Sequence, residues 1–139
     1  MPLWEKGARF AARKMPKVIN PTTHAVLDYV VAGSFFLKAA RLWNRHRRAA
    51  AGSLICGGAV LANAMVTDYP GGVFRKISYR AHGRNDAAIA GFTASAPGLL
   101  GFSKCRNTRL FFSAAALLET AIIGMTDFEY ESERESLVA

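Results

Sequence analysis

The chain has 139 residues, 51% hydrophobic and 20% charged, with 18 Lys/Arg against 10 Asp/Glu for a formal charge of +8. That length holds one domain and excludes a multidomain enzyme or a large doubly wound sheet, and the apolar fraction excludes a disordered chain. Two cysteines, Cys56 and Cys105, make no disulfide framework and no metal-ligand spacing with each other or with a histidine.

Residues 1–19 read as an amphipathic helix lying in a membrane interface. Trp4, Gly7, Ala8, Ala11 and Met15 share a face with Phe10 at its edge, while Lys6, Arg9, Arg13 and Lys17 point away. The segment lacks the apolar stretch and small-residue cleavage site of a secretory leader.

Asn20-Pro21 then opens a helix, with Asn as N-cap and Pro at the first helical position. Ala25 to Trp43 is apolar apart from Asp28, Ser34, Lys38 and Arg41, and Arg45 to Arg48 form a basic turn. Ala49 to Thr67 is nineteen residues without a charge, closed by Asp68 and Tyr69-Pro70-Gly71-Gly72. A connector carrying Arg75, Lys76, Arg80 and Arg84 leads to Ala87–Ser103, seventeen residues without a charge. A second basic turn, Lys104 to Arg109, precedes Leu110–Thr126, which is apolar except for Glu119. The tail from Asp127 is acidic, with Glu129, Glu131, Glu133 and Glu135.

About 20 apolar residues at ~1.5 Å each cross a ~30 Å hydrocarbon layer. The four segments therefore predict an all-α integral membrane four-helix bundle. It divides into an interfacial helix (1–19), two hairpins (20–72 and 73–128, the second with its connector) and an acidic tail (129–139). A soluble bundle would carry a charged stripe on every helix, and the second and third segments have none. Small residues four apart (Ser53 and Gly57, Gly58 and Ala62, Gly91 and Ser95, Thr120 and Gly124) predict close helix packing.

The strongest signal is an internal duplication. His24-x3-Asp28-x3-Ala32-Gly33 recurs as His82-x3-Asp86-x3-Ala90-Gly91 at an offset of 58, and Thr67-Asp68-Tyr69 recurs as Thr126-Asp127-Phe128 at 59. Each unit is a hairpin that enters with His-x3-Asp and leaves with Thr-Asp-aromatic. Two in tandem give parallel repeats about an axis along the membrane normal.

Asp86 through Phe102, with Ser95-Ala96-Pro97-Gly98-Leu99-Leu100-Gly101-Phe102, resembles the first helix of the SPW-repeat family. Those are small bacterial membrane proteins built from two-helix units. The resemblance covers mainly residues 82–126; Ser-Ala-Pro stands here without the Trp, and the first unit has no proline at the matching place. It implies a four-helix fold in the bacterial cell membrane and no defined chemistry.

The duplication gathers His24, Asp28, Thr67, Asp68, His82, Asp86, Thr126 and Asp127 at one membrane surface, because residues four apart share a helix face. Asp68 and Asp127 end their helices, where the macrodipole disfavours an anion, so cationic or hydrogen-bonding partners are expected among His24, His82, Arg75 and Arg84. The reading taken is that this polar cluster ties helix ends together where lipid cannot satisfy them, with no metal or cofactor assigned. The alternative is a ligand site: two imidazoles and up to four carboxylates could hold a metal, or a histidine could ligate a haem or chlorin. Glu119, the acid inside a span, is expected to be structural, facing the bundle and either protonated or hydrogen-bonded to Asn63 or Lys38, with proton carriage as its functional alternative.

No Ser-His-Asp set, phosphate-binding glycine loop or catalytic cysteine occurs, so the chain does not read as an enzyme. The expectation is a non-catalytic subunit of a larger membrane complex or a self-associating bundle, in contact with lipid and with other membrane subunits. A small transporter, or a membrane protein binding a metal, pigment, lipid or other ligand through the His/Asp cluster and Glu119, is the alternative. Nucleic acid is excluded as a partner because the basic residues flank spans instead of forming one patch. Ten Lys/Arg on the side of the termini against eight on the side of the two turns decides little. The charge density of the short turns would place those in the cytoplasm, whereas the basic N-terminal helix suits cytoplasmic lipid, and cytoplasmic termini are the expectation taken.

Overall fold

A computed structural model describes residues 14–130 and Leu137. It contains four helices, α1 (Pro21–Leu42), α2 (Arg47–Val66), α3 (Tyr79–Leu99) and α4 (Arg106–Met125), and among the described residues no strand beyond two isolated bridges. The interfacial residues Trp4, Arg9, Phe10 and Arg13 lie outside the described residues.

The helix ends follow from local chemistry. Asn20 Oδ1 accepts from the Thr23 amide at 2.8 Å, with Pro21 behind it where no amide is missed. Ser78 Oγ accepts from the Ala81 amide at 3.2 Å and starts α3 well before the apolar run at Ala87, so His82 and Asp86 ride on the helix. The helix stops at Leu99, short of Ser103, because the chain turns at Gly101, whose φ of +74° suits glycine.

The two hairpins are interlocked by their entry segments. Ile19, before α1, pairs with Thr126 at the end of α4, while Ile77, before α3, pairs with Thr67 at the end of α2. These are equivalent positions in the duplication, so each hairpin's entrance is held by the other's exit. Lys17 Nζ adds a 2.7 Å bond to the Gly124 carbonyl.

Near the two basic turns the interior is aromatic: Phe112 packs against Phe35 and Phe102 with ring centroids 5.5 and 5.1 Å away. Toward the opposite end it becomes polar, with His24, Asp28, Asn63, Thr67, His82, Asp86, Glu119 and Thr126 all buried. Lys38 holds its ammonium 5.1 Å from the Phe111 ring centre.

Of the four small-residue pairs only Ser53 and Gly57 serve helix packing. A Cβ on Gly57 would stand 2.9 Å from Phe35 Cβ and 3.2 Å from the Ala32 carbonyl oxygen. Gly58 and Gly91 face open space, Ala62, Ser95 and Thr120 are exposed, and Gly124 is covered by Met15 rather than by a helix. Four-residue spacing on an Ala/Gly-rich helix falls outward as readily as inward. Helices α2 and α4 are long and apolar enough to cross a membrane, with mean hydropathy 1.7 and 1.4. Of the four spans expected, these two meet the test of length and composition, and α1 and α3, which carry the polar site, do not.

Gly57→Val should lower stability by about 1–3 kcal/mol through overpacking against α1. Gly91→Ala, with open space and a helical backbone, should raise it by about 0.5–1 kcal/mol. Thermal unfolding of the purified protein measures both, and a tolerated Gly57→Val would contradict the close α1–α2 approach.

Candidate metal centre

Four side chains converge from two helices. His24 and Asp28 lie one turn apart on α1, and His82 and Asp86 repeat that spacing on α3, all four buried. One donor atom from each can be chosen so that all lie within 4.8 Å of one another. The two Nε2 atoms are 3.1 Å apart. His24 Nε2 stands 3.1 Å from Asp86 Oδ2 and 3.4 Å from Asp28 Oδ1, and His82 Nε2 stands 2.9 Å from Asp86 Oδ2 and 3.2 Å from Asp28 Oδ2.

Both imidazoles are held in the same tautomer by the exits of the opposite hairpins. Thr126 Oγ1 donates to the Ile122 carbonyl at 2.6 Å and lies 2.8 Å from His24 Nδ1. Thr67 Oγ1 donates to the Asn63 carbonyl at 2.5 Å and lies 2.7 Å from His82 Nδ1. With each hydroxyl proton spent on a backbone carbonyl, each Nδ1 must be the donor. In the neutral imidazole this leaves a lone pair on Nε2, and both lone pairs face the same point.

Each carboxylate is also oriented by a fixed donor. Tyr69 donates its hydroxyl to Asp28 Oδ2 at 2.8 Å, and Asn63 Nδ2 donates to Asp86 Oδ1 at 2.8 Å. Burial and the neighbouring Asp28 charge raise the Tyr69 phenol above its ordinary value, so it stays a donor at every physiological pH. Asn63 is pinned in turn, donating to the His82 carbonyl at 3.2 Å and accepting from Asn85 at 2.8 Å. These two donors escape a reading of the repeat, because their counterparts at 59 residues on are Phe128 and Ile122, which cannot donate. The signals available were a lone amide inside a charge-free span and a tyrosine directly after Thr67-Asp68.

The structure separates the remaining candidates from this centre. Asp68 is exposed and pairs with Arg75 at 3.3 Å, one of its expected partners. Asp127 departs from expectation among the described residues: its Oδ1 accepts from the Glu129 amide at 3.0 Å instead of meeting a cation, because the chain turns tightly after α4.

Glu119 is not bonded to Asn63 or Lys38. Asn63 is committed to the cluster and Lys38 to Phe111. Neither Glu119 oxygen has a hydrogen-bond partner among the described residues. Thr93 lies beside it, with its hydroxyl directed at Cys56 Sγ, 3.6 Å away. Glu119 shares with Asp28 and Asp86 a cavity of about 20 Å³, walled otherwise by Val31, Val60, Ile89 and Ile122–Ile123. That space accommodates one water-sized particle.

No protein-family model, no curated protein and no solved structure matches the chain.

Two substitutions separate the tied groups from the untied one. Tyr69→Phe strips Asp28 of its donor and should cost about 1–3 kcal/mol in thermal unfolding. Glu119→Gln keeps an acceptor oxygen beside the Thr93 hydroxyl and should shift stability by less than about 1 kcal/mol. A large loss in Glu119→Gln would reinstate a structural role for that carboxyl.

Proposed function

We propose that this chain is a non-catalytic membrane protein whose two hairpins are joined by a divalent transition metal, of the zinc type, bound by His24, Asp28, His82 and Asp86. The observation that carries the reading is the pair of Nε2 atoms 3.1 Å apart, each with its Nδ1 tied to a threonine. Four donors about 2.0 Å from one ion stand about 3.3 Å apart in a tetrahedron. The Nε2–Nε2 distance and the nearest imidazole–carboxylate distances here run from 2.9 to 3.4 Å, with Asp28 presenting Oδ1 to one ring and Oδ2 to the other. One donor from each residue lies within 4.8 Å of every other.

Outer partners that fix the imidazole tautomer and aim the carboxylates are characteristic of metal sites. Two imidazole nitrogens with two carboxylate oxygens suit zinc and its neighbours better than magnesium or calcium, which prefer oxygen alone. Four protein donors complete a tetrahedron, so the ion's role is to clamp the hairpins. This agrees with the expected accessory subunit and gives the ligand-site alternative a structural purpose.

The membrane placement rests on the apolar exterior. Val30, Leu54 and Leu117 are 61, 42 and 72% exposed, and α2 and α4 have the length and hydropathy of spans. The resemblance to SPW-repeat units points the same way. Lipid and neighbouring membrane subunits are the partners such an exterior fits.

Elemental analysis of protein purified without chelator tests the metal. About one equivalent per chain is expected, falling to background in His82→Ala; less than about a tenth of an equivalent in the unsubstituted protein overturns the reading. Because the ligands bind as neutral imidazoles and carboxylates, metal should be released as pH falls and retained as it rises toward neutrality. Unfolding temperature should follow occupancy, dropping on chelation.

A further inference from the structure

The opposite end of the bundle carries a second, unrelated site. The turns joining α1 to α2 and α3 to α4 lie side by side and enclose a pocket of about 380 Å³ whose polar walls are His46, Arg47, Arg48 and Lys104, with Cys105 at its edge. Neither turn contains an acid, and among the described residues Arg48 and Lys104 have no anionic partner. A concave, acid-free cationic surface favours an anion with several acceptor oxygens, and guanidinium matches phosphate by its paired donors.

A second groove of about 430 Å³ continues from this pocket and shares Arg48 and Gly101 with it. Its other walls are apolar: Ala51 and Ile55 of α2 face Gly98, Leu99 and Leu100 at the end of α3. Gly101 makes the junction possible. With φ at +74° it turns the chain, and a Cβ there would stand 2.9 Å from the Arg48 guanidinium.

We propose that this pocket and groove together bind one anionic phospholipid, its phosphate against Arg48 and Lys104 and an acyl chain along Ile55 and Leu99. The basic pocket alone would accept any phosphate. The apolar groove opening from the same arginine is what selects a lipid. The site shares only the membrane placement with the reading above, and metal content has no bearing on it.

Native mass spectrometry of detergent-purified protein titrated with phosphatidylglycerol tests this. One lipid should be retained per chain, with roughly tenfold weaker retention in Arg48→Gln, the effect of one lost charge-assisted hydrogen bond. Lys76→Gln, an exposed cation at the other end, should leave retention unchanged. Both positions are exposed, so folding should survive either change. Equal retention in Arg48→Gln, or an equal loss in Lys76→Gln, overturns the proposal.

A second readout is thiol labelling. The Thr108 side-chain and backbone hydrogen bonds lower the Cys105 thiol below its ordinary value, and Cys56 is fully buried, so a water-soluble reagent reports Cys105. Phosphatidylglycerol should slow that labelling. If inorganic phosphate slows it equally and displaces the lipid, the ligand is free phosphate and the lipid assignment fails. Membrane placement is checked separately by alkaline extraction of cell membranes, so its failure cannot be mistaken for a failure of lipid binding.

Discussion

The fold turns on two threonine hydroxyls. Each occupies the end of one hairpin, gives its proton to the carbonyl one turn back, and receives the Nδ1 proton of the histidine that enters the other hairpin. That reciprocal exchange does three things together. It closes the bundle through residues far apart in sequence, satisfies buried polar groups at two helix ends, and turns both Nε2 atoms toward a common point. The parallel bridges Ile19–Thr126 and Ile77–Thr67 are the backbone expression of the same exchange. A single unit cannot make it, because its own exit threonine serves the other unit's histidine. The site therefore needs two hairpins, which the duplication supplies within one chain.

The copies have nevertheless diverged where the carboxylates are held. Asp28 is oriented by Tyr69 and Asp86 by Asn63, and the counterparts of these donors are Phe128 and Ile122. Both donors come from the first hairpin, one just beyond α2 and one within it. Each aspartate keeps one fixed donor, which a buried carboxylate needs, while the symmetry that the His/Asp spacing suggests is lost around it. Phe128 finds another use, packing edge-on against His24 with ring centroids 5.4 Å apart and covering Gly83.

The helices were legible in the sequence because their signals are local. Asn20-Pro21, the charge-free runs and the two basic turns each mark an end or a span with chemistry confined to a few residues. The convergence of His24, Asp28, His82 and Asp86 was legible too, since a repeat of two hairpins leaves equivalent residues at one end. What escaped depends on the facing partner. Nothing in the order of residues says which of several small pairs meets a neighbouring helix, and only Gly57 does so closely. Asp127 has the same motif as Asp68, yet among the described residues it meets the Glu129 backbone amide in the tight turn that follows α4. The early start of α3 was obscured because the composition of Tyr79–Asp86 is that of a connector, and only the Ser78 cap marks it as helical.

Charge accounting inside the bundle favours a metal over protons alone. Two carboxylates and two neutral imidazoles sum to −2, which one divalent ion balances. Protons could do the same by charging both rings, which sets two Nε2–H groups against each other 3.1 Å apart, or by neutralising carboxylates that already accept from Tyr69 and Asn63. A shared single proton leaves a net negative charge among buried groups, with Glu119 opening onto the same small cavity. The cations that could offset it from a distance are mostly at the far turns, where Arg48 and Lys104 face outward, or exposed in the connector, where Arg75 is paired with Asp68. The chain's +8 is therefore not available to its buried acids. Separating the two signs along the length of the bundle leaves an acidic interior suited to a cation and a basic end suited to an anion.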